Sequence, residues 1–265
     1  MLFKQMRFLI TLTCQQTDLV IPINYQYPLS AVLYHIIARG DKDYASFLHQ
    51  KGYGKGFKLF TFSQISCPFK IEGDRLKLLS QDLNFQVAFH LPQAMEPFVK
   101  GLFQCERIDI ADKKSRTSFT VKSIESLPDP LQSVKELEIA NIQVKPISPI
   151  VAGLQNEKGN YDFLSPDDAR FKESLLYNWR NKIATCFDTQ TASQALLMID
   201  IILMKQPPKS RLMAIKADTR EETKIRGWIN FNLRVIAEKR FVKLLLNTGM
   251  GIYNSMGCGC IVKLD

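Results

Sequence analysis

The chain has 265 residues, of which 46% are hydrophobic and 23% charged, enough to bury a sizeable core in one large domain or two ordinary ones. Its 35 basic against 26 acidic residues leave a net charge of +9, a balance that favours a polyanionic partner without by itself singling out nucleic acid. The six cysteines, Cys14, Cys67, Cys105, Cys186, Cys258 and Cys260, contain no C-x-x-C pair, which argues against a zinc site and against a secreted disulfide framework.

In chain order, MLFKQMRFLITLTC alternates and lacks a small-residue cleavage site, so it reads as a first strand and not as a targeting segment, with Met6 to Thr13 at its heart. IPINYQYPLS leads into a helix whose Leu29, Val32, Leu33, Ile36 and Ile37 form one apolar face and which Gly40 ends. Asp43 caps a second short helix through Gln50, with Gly52 at its end. FKLFTF and FQVAFH read as strands, Gln93 to Phe103 as a helix and SFTVKSI as another strand. SLPDPLQS then punctuates the chain at Pro128 and Pro130. Beyond it, ELEIANIQV is a strand, and Ser165, Pro166, Asp167 and Asp168 open a long helix, FKESLLYNWRNKIATCF. ALLMIDIIL, RLMAIKA and KIRGWINFNLRVI read as strands, the last two joined across DTREET, followed by a helix, AEKRFVKLLLNTG, and a closing strand, CGCIVKL. ALLMIDIILM falls well short of the roughly 20 apolar residues of a membrane span, because Asp200 interrupts it and Lys205 and Pro207 stop it. A soluble, cytoplasmic protein is therefore expected. Each half repeats an approximate strand, helix, strands, helix, strand order, which predicts an α+β fold of two tandem ferredoxin-like domains with antiparallel sheets. The expected divisions are an N-terminal domain over 1–127, a linker over 128–135 and a C-terminal domain over 136–265.

The stretch TGMGIYNSMGCGCIVKLD holds Gly249, Gly251, Gly257 and Gly259 as two Gly-x-Gly pairs with Asn254 and Ser255 between them. Such a loop can present backbone N–H groups to a phosphate backbone, and glycine permits the close approach. The competing meaning is a helix C-cap and a tight entry into an edge strand. It is neither a Walker loop, since no G-K-[ST] follows, nor a dinucleotide fingerprint, since the helix precedes the glycines. GMGIYNSMGCGC resembles the glycine-rich loop of the RAMP superfamily, and specifically of its sixth Cas family, the CRISPR-associated endoribonucleases that cut precursor repeat RNA. IPINYQYPLSAVLY, YASFLHQKGY, FKLFTFS and YDFLSPDD are similar to recurring segments of that family, in the same order, so the resemblance spans nearly the whole chain. It implies two ferredoxin-like domains with a cleft between them, CRISPR repeat RNA as partner, and cleavage within repeats to a 2′,3′-cyclic phosphate and a 5′-hydroxyl. It implies neither cofactor nor metal.

The three histidines are unequal. At about 100° per residue, His49 falls roughly 150° from the Tyr44, Phe47, Leu48 stripe of its helix and faces solvent or a cleft, whereas His35 and His90 suit packed or hydrogen-bonded roles. Metal-free RNA cleavage needs the 2′-OH proton removed, the 5′-oxygen protonated and charge on the phosphorane stabilised, tasks for which His, Tyr and Lys are suited. Tyr34, His49 and Lys55 supply these types, and their spacing resembles the Tyr, His, Lys set of some family members. The assignment of base and acid between Tyr34 and His49 stays open. Asp162, Asp167 and Asp168 suit a helix cap better than a metal. Basic residues recur in the hairpin KSRLMAIKADTREETKIRGWINFNLR and at Lys239, Arg240 and Lys243, where Trp228 stands near enough in sequence to join an RNA surface or a plain solvated one. The remaining rival is a repeat-RNA binder that does not cut, alone or inside a CRISPR effector complex, and a homodimer is also open.

Overall fold

Phe8, Ile10 and Leu12 point to one side of the first strand and are fully buried, as strand alternation requires. That strand is β1 (Arg7–Thr13) of a computed structural model that describes residues 6–157, 159–217 and 219–264. The first residues of the opening run and Asp218 of the DTREET turn lie outside the described residues. The first half continues with β2 (Val20–Pro22), α1 (Gln26–Gly40), α2 (Lys42–Gln50), β3 (Phe60–Phe62), β4 (Phe69–Glu72), β5 (Arg75–Leu78), β6 (Asp82–Phe89), α3 (Pro92–Phe103), β7 (Ile108–Ala111) and β8 (Arg116–Ser126). Its main sheet has the order β3-β6-β1-β8-β7 with antiparallel neighbours. Taking β1, β3, β6 and β8 as a βαββαβ unit, the spatial order is second, third, first, fourth, the ferredoxin-like arrangement. A small sheet, β2-β5-β4, flanks it.

The second half contains β9 (Ile139–Pro146), β10 (Gly153–Gln155), β11 (Tyr161–Phe163), α4 (Ala169–Cys186), α5 (Thr189–Gln194), β12 (Met198–Leu203), β13 (Lys209–Ile215), β14 (Thr223–Ile229), β15 (Phe231–Glu238), α6 (Lys239–Thr248) and β16 (Ile261–Lys263). Its sheet, β12-β15-β9-β16, repeats the same order around β9, β12, β15 and β16. The fold is thus α+β, with tandem ferredoxin-like units. Each unit has its own apolar core: one gathers Leu29, Leu33, Phe60, Phe85, Phe89 and Phe98, the other Phe171, Trp179, Phe231, Leu233, Phe241 and Leu245. Trp179 Nε1 donates to the Phe241 carbonyl at 3.0 Å, which satisfies the polar end of a buried indole.

Several boundaries differ from the sequence expectation. The second helix is capped by Asp41, whose side chain accepts from the Tyr44 N–H at 2.9 Å, and not by Asp43. FKLFTF keeps only Phe60–Phe62 as strand, because Leu59 adopts φ +53. KIRGWINFNLRVI divides into β14 and β15 at Asn230, φ +68. The β2-β5-β4 sheet, β7 and the β10-β11 hairpin were not expected. These strands are three or four residues long, too short to display a period.

The two units meet along β3, the β9–β10 connection and the C-terminal strand. Thr61 Oγ1 donates to the Cys258 carbonyl at 3.1 Å, the Gln64 N–H to the Ile147 carbonyl at 2.9 Å, and Arg7 Nη2 to the Ile261 carbonyl at 3.2 Å. The β13-β14 hairpin reaches back to the start of α1, where Arg211 Nη2 donates to the Ile23 carbonyl at 3.0 Å and lies over the Tyr25 ring at 5.4 Å.

Candidate active site

Helix α1 buries Leu29, Leu33, Ile36 and Ile37 on the first sheet, and its end crosses α3 closely. A Cβ on Gly101 would lie 1.8 Å from the Ile36 carbonyl. That anchoring leaves Tyr34 half-buried on the side facing α2. The Tyr34 ring meets His49 edge-on, with centroids 5.7 Å apart and planes at 83°, and packs in the same manner on Phe60 at 5.6 Å. His49 is exposed at the end of α2. Burial pushes the Tyr34 phenol up to about 12, opposed in part by the nearby Ser255 side chain, so this group keeps its proton throughout the neutral range.

Ser255 lies in the turn Asn254–Met256 of the glycine loop. The loop is fixed at several points. Ser30 Oγ on α1 donates to the Ser255 carbonyl at 2.7 Å, and Asn254 Nδ2 donates to the carbonyls of Met250 and Cys258, both at 3.1 Å. Gly249, Gly251, Gly257 and Gly259 all have positive φ and are buried. A Cβ on Gly257 would sit 2.5 Å from the Phe62 ring, and one on Gly259 1.9 Å from the Met250 carbonyl. Each of these glycines is thus backed by protein where a side chain would stand, and the part of the loop open to a ligand is its half-buried tip, Ile252 to Met256. The tip borders a cleft of about 200 Å³ shared with Lys58, Phe60, Asn178 and Lys182.

Lys55 lies against α4. Its Nζ donates to Asn181 Oδ1 on α4 at 3.0 Å and sits 5.6 Å from the centre of the exposed Tyr177 ring. The structure thus brings Tyr34, His49, Asn254 and Ser255 together and holds Lys55 against the second unit. Lys58 was not anticipated. Its Nζ donates to the His49 carbonyl at 3.2 Å, and burial lowers its pKa; its only trace in the sequence is a cation bordering the FTF strand. Lys239, Arg240 and Lys243 are engaged elsewhere. Lys239 is buried and pairs with Glu136 at 3.0 Å, Arg240 pairs with Glu238 at 2.7 Å and covers the Phe241 ring at 4.6 Å, and Lys243 pairs with Asp129 at 3.0 Å. Trp228 is buried under a bridge to Ile150. His35 is exposed, its Nε2 accepting from Arg39 Nε at 3.4 Å. His90 is drawn down to about 4 by burial and by the nearby Lys243 charge. Asp168 caps α4 through the Arg170 N–H at 2.9 Å.

Two models of one family match this chain, "CRISPR associated protein Cas6, C-terminal" at residues 132–262 and "CRISPR-associated protein Cas6, N-terminal" at residues 20–125. The chain belongs to the Cas6 family. Among similar proteins is a CRISPR-associated endoribonuclease Cas6 of Methanocaldococcus jannaschii, 28% identical over 94% of this chain and 91% of the relative. Another is the CRISPR-associated endoribonuclease Cas6 of Pyrococcus furiosus, 24% identical over 98% and 90%. Solved structures of a Cas6-related Pyrococcus furiosus protein (TM-score 0.77, 21% identity, covering 98% of this chain and 99% of that one) and of a RAMP protein described as binding different RNA substrates (TM-score 0.75, 18% identity, covering 98% and 100%) share the Cas6 fold seen here. Among the described residues, no helix is long and apolar enough to cross a membrane.

Proposed function

We infer that this Cas6 chain is an endoribonuclease that cuts precursor CRISPR RNA within its repeats, at the mouth of the cleft where Tyr34, His49 and the tip of the glycine loop meet. The observation that carries this reading is the edge-on contact of Tyr34 with His49 at 5.7 Å, together with the Ser30 hydrogen bond that ties the Ser255 turn to the same helix as Tyr34. Two proton-bearing side chains of suitable chemistry thereby stand beside a loop suited to hold RNA.

The reaction needs no group beyond these side chains. The 2′-oxygen gives up its proton as it attacks the adjacent phosphorus, the bond from phosphorus to the 5′-oxygen breaks, and that oxygen takes up a proton. A 2′,3′-cyclic phosphate and a 5′-hydroxyl remain. Tyr34 holds its phenolic proton near neutrality and acts by donating a hydrogen bond. Proton exchange falls to His49, whose imidazole carries both a proton donor and a proton acceptor. Lys55, and Lys58 against the His49 carbonyl, supply positive charge for the phosphorane. Ser255 at the half-buried tip contacts the RNA, while the glycines and the internally bonded Asn254 side chain hold that tip in place; Lys239, Arg240 and Lys243, each paired with a carboxylate, take no direct part. On this reading the protein works on CRISPR transcripts in a prokaryotic cytoplasm, and its products pass to a CRISPR effector complex.

His49→Ala tests the assignment. Under single-turnover conditions the cleavage rate should fall by roughly 10² or more, the usual contribution of a placed proton-transfer group, while affinity for repeat RNA changes little. Cutting at the wild-type rate would remove His49 from the site and make the exposed His35 the next histidine to test.

A further inference from the structure

The side of α4 that faces the first unit is polar. Asn178, Asn181, Lys182 and Thr185 recur at i, i+3, i+4 and i+7, which places them on one face. Three of them grip the loops of the candidate site. Asn181 receives the Lys55 ammonium. The Thr185 side chain packs so closely on the Lys55 loop that a Cβ on Gly54 would lie 2.3 Å from its Oγ1. Lys182 Nζ donates to the Gly249 carbonyl and to Asn254 Oδ1, each at 2.7 Å.

Lys182 is 1% exposed, and among the described residues no carboxylate pairs with it. A lysine is rarely buried without such a partner, and an apolar side chain of similar length would serve the core better. Its two hydrogen bonds instead go to neutral oxygens of the glycine loop, one at each end of its Gly249 to Asn254 arc. From Asn254 the connection continues to Ser255, whose carbonyl is held at 2.7 Å by Ser30, one turn before Tyr34 on α1, and so to the Tyr34–His49 contact. We propose that Lys182 is a positioning residue, which ties the glycine loop to α4 so that the second domain sets Ser255 against Tyr34 and holds the proton-transfer pair in register. The proposal rests on the reading of Tyr34 and His49 given above.

The test compares full-length wild type, Lys182→Met and His49→Ala for melting temperature, repeat-RNA affinity and single-turnover rate at saturating RNA. The Lys182→Met protein should fold and, with RNA saturating, cut about tenfold or more slowly, a loss that weaker binding cannot produce at saturation. A lysine serving only the core would leave the saturated rate of the folded protein unchanged, and that result overturns the proposal. If Lys182→Met does not fold, Asn254→Ala removes the Lys182 tie from the loop side, together with the amide's bonds to the Met250 and Cys258 carbonyls. It should show the same loss, and an unchanged saturated rate there is equally fatal. The controls separate the two readings. If His49→Ala cuts normally, the site assignment itself fails; if His49→Ala is inactive while Lys182→Met cuts at full rate, only the role of Lys182 fails.

Discussion

His90 shows how much one buried side chain can govern behaviour outside the site. Its Nδ1 is buried without a hydrogen-bond partner, and burial with the Lys243 charge holds its pKa near about 4, below the ordinary 6.5. The folded-state value is depressed, so as pH falls below about 6.5 the unfolded chain takes up a proton that the folded chain refuses until about 4, and stability is lost across that window. At about pH 5 the loss attributable to this group is roughly 2 kcal/mol or less. His90→Gln should therefore show a shallower fall of melting temperature between neutral pH and pH 5 than wild type; parallel curves would show that His90 does not titrate abnormally. In the sequence only its place at a strand end before Leu91 and Pro92 hinted at burial. Tyr34 and His49 were more legible, because helical angles separate them from the apolar stripes. Lys182 was hidden for the opposite reason. It lies where the polar face of α4 adjoins the apolar stripe of Phe171, Leu175 and Trp179, a position at which a cation has no place by pattern alone.

At the scale of elements, the glycine loop changes meaning once its surroundings are visible. Its residue types suggest a backbone opened for RNA phosphates, which would make Gly257→Ala a binding mutation first and a folding mutation second. The structure reverses that order, since Gly257 holds φ +78 and its missing Cβ would strike Phe62 at 2.5 Å. Left-handed backbone alone costs an alanine roughly 1–2 kcal/mol, and the ring contact adds to it. Gly257→Ala should lower the melting temperature by about 4 °C or more, with the folded fraction binding RNA normally. Unchanged stability with weakened binding would restore the simpler meaning. Long periodic elements such as α1, α4 and β1 were readable from spacing, whereas the edges of β3, β14 and β15 were set by single residues, Leu59 and Asn230, in left-handed conformation that no periodicity announces.

At the scale of the molecule, the two units share one strand order and, on the proposed function, divide the labour. The first carries Tyr34, His49 and Lys55, and the second supplies the glycine loop and the polar face of α4 that grips both loops. Tandem ferredoxin-like units were legible from element order; the way α4 braces the first unit was not, because it depends on contacts between residues more than a hundred positions apart, such as Lys55 with Asn181. The central claim is that side chains from this assembled cleft suffice to cut repeat RNA. It is tested most directly by incubating the purified full chain with end-labelled repeat RNA in excess EDTA and mapping the products. Cleavage at one position within the repeat, leaving a 2′,3′-cyclic phosphate and a 5′-hydroxyl at an undiminished rate, is the predicted result; intact RNA, or cutting that requires added divalent metal, would contradict it.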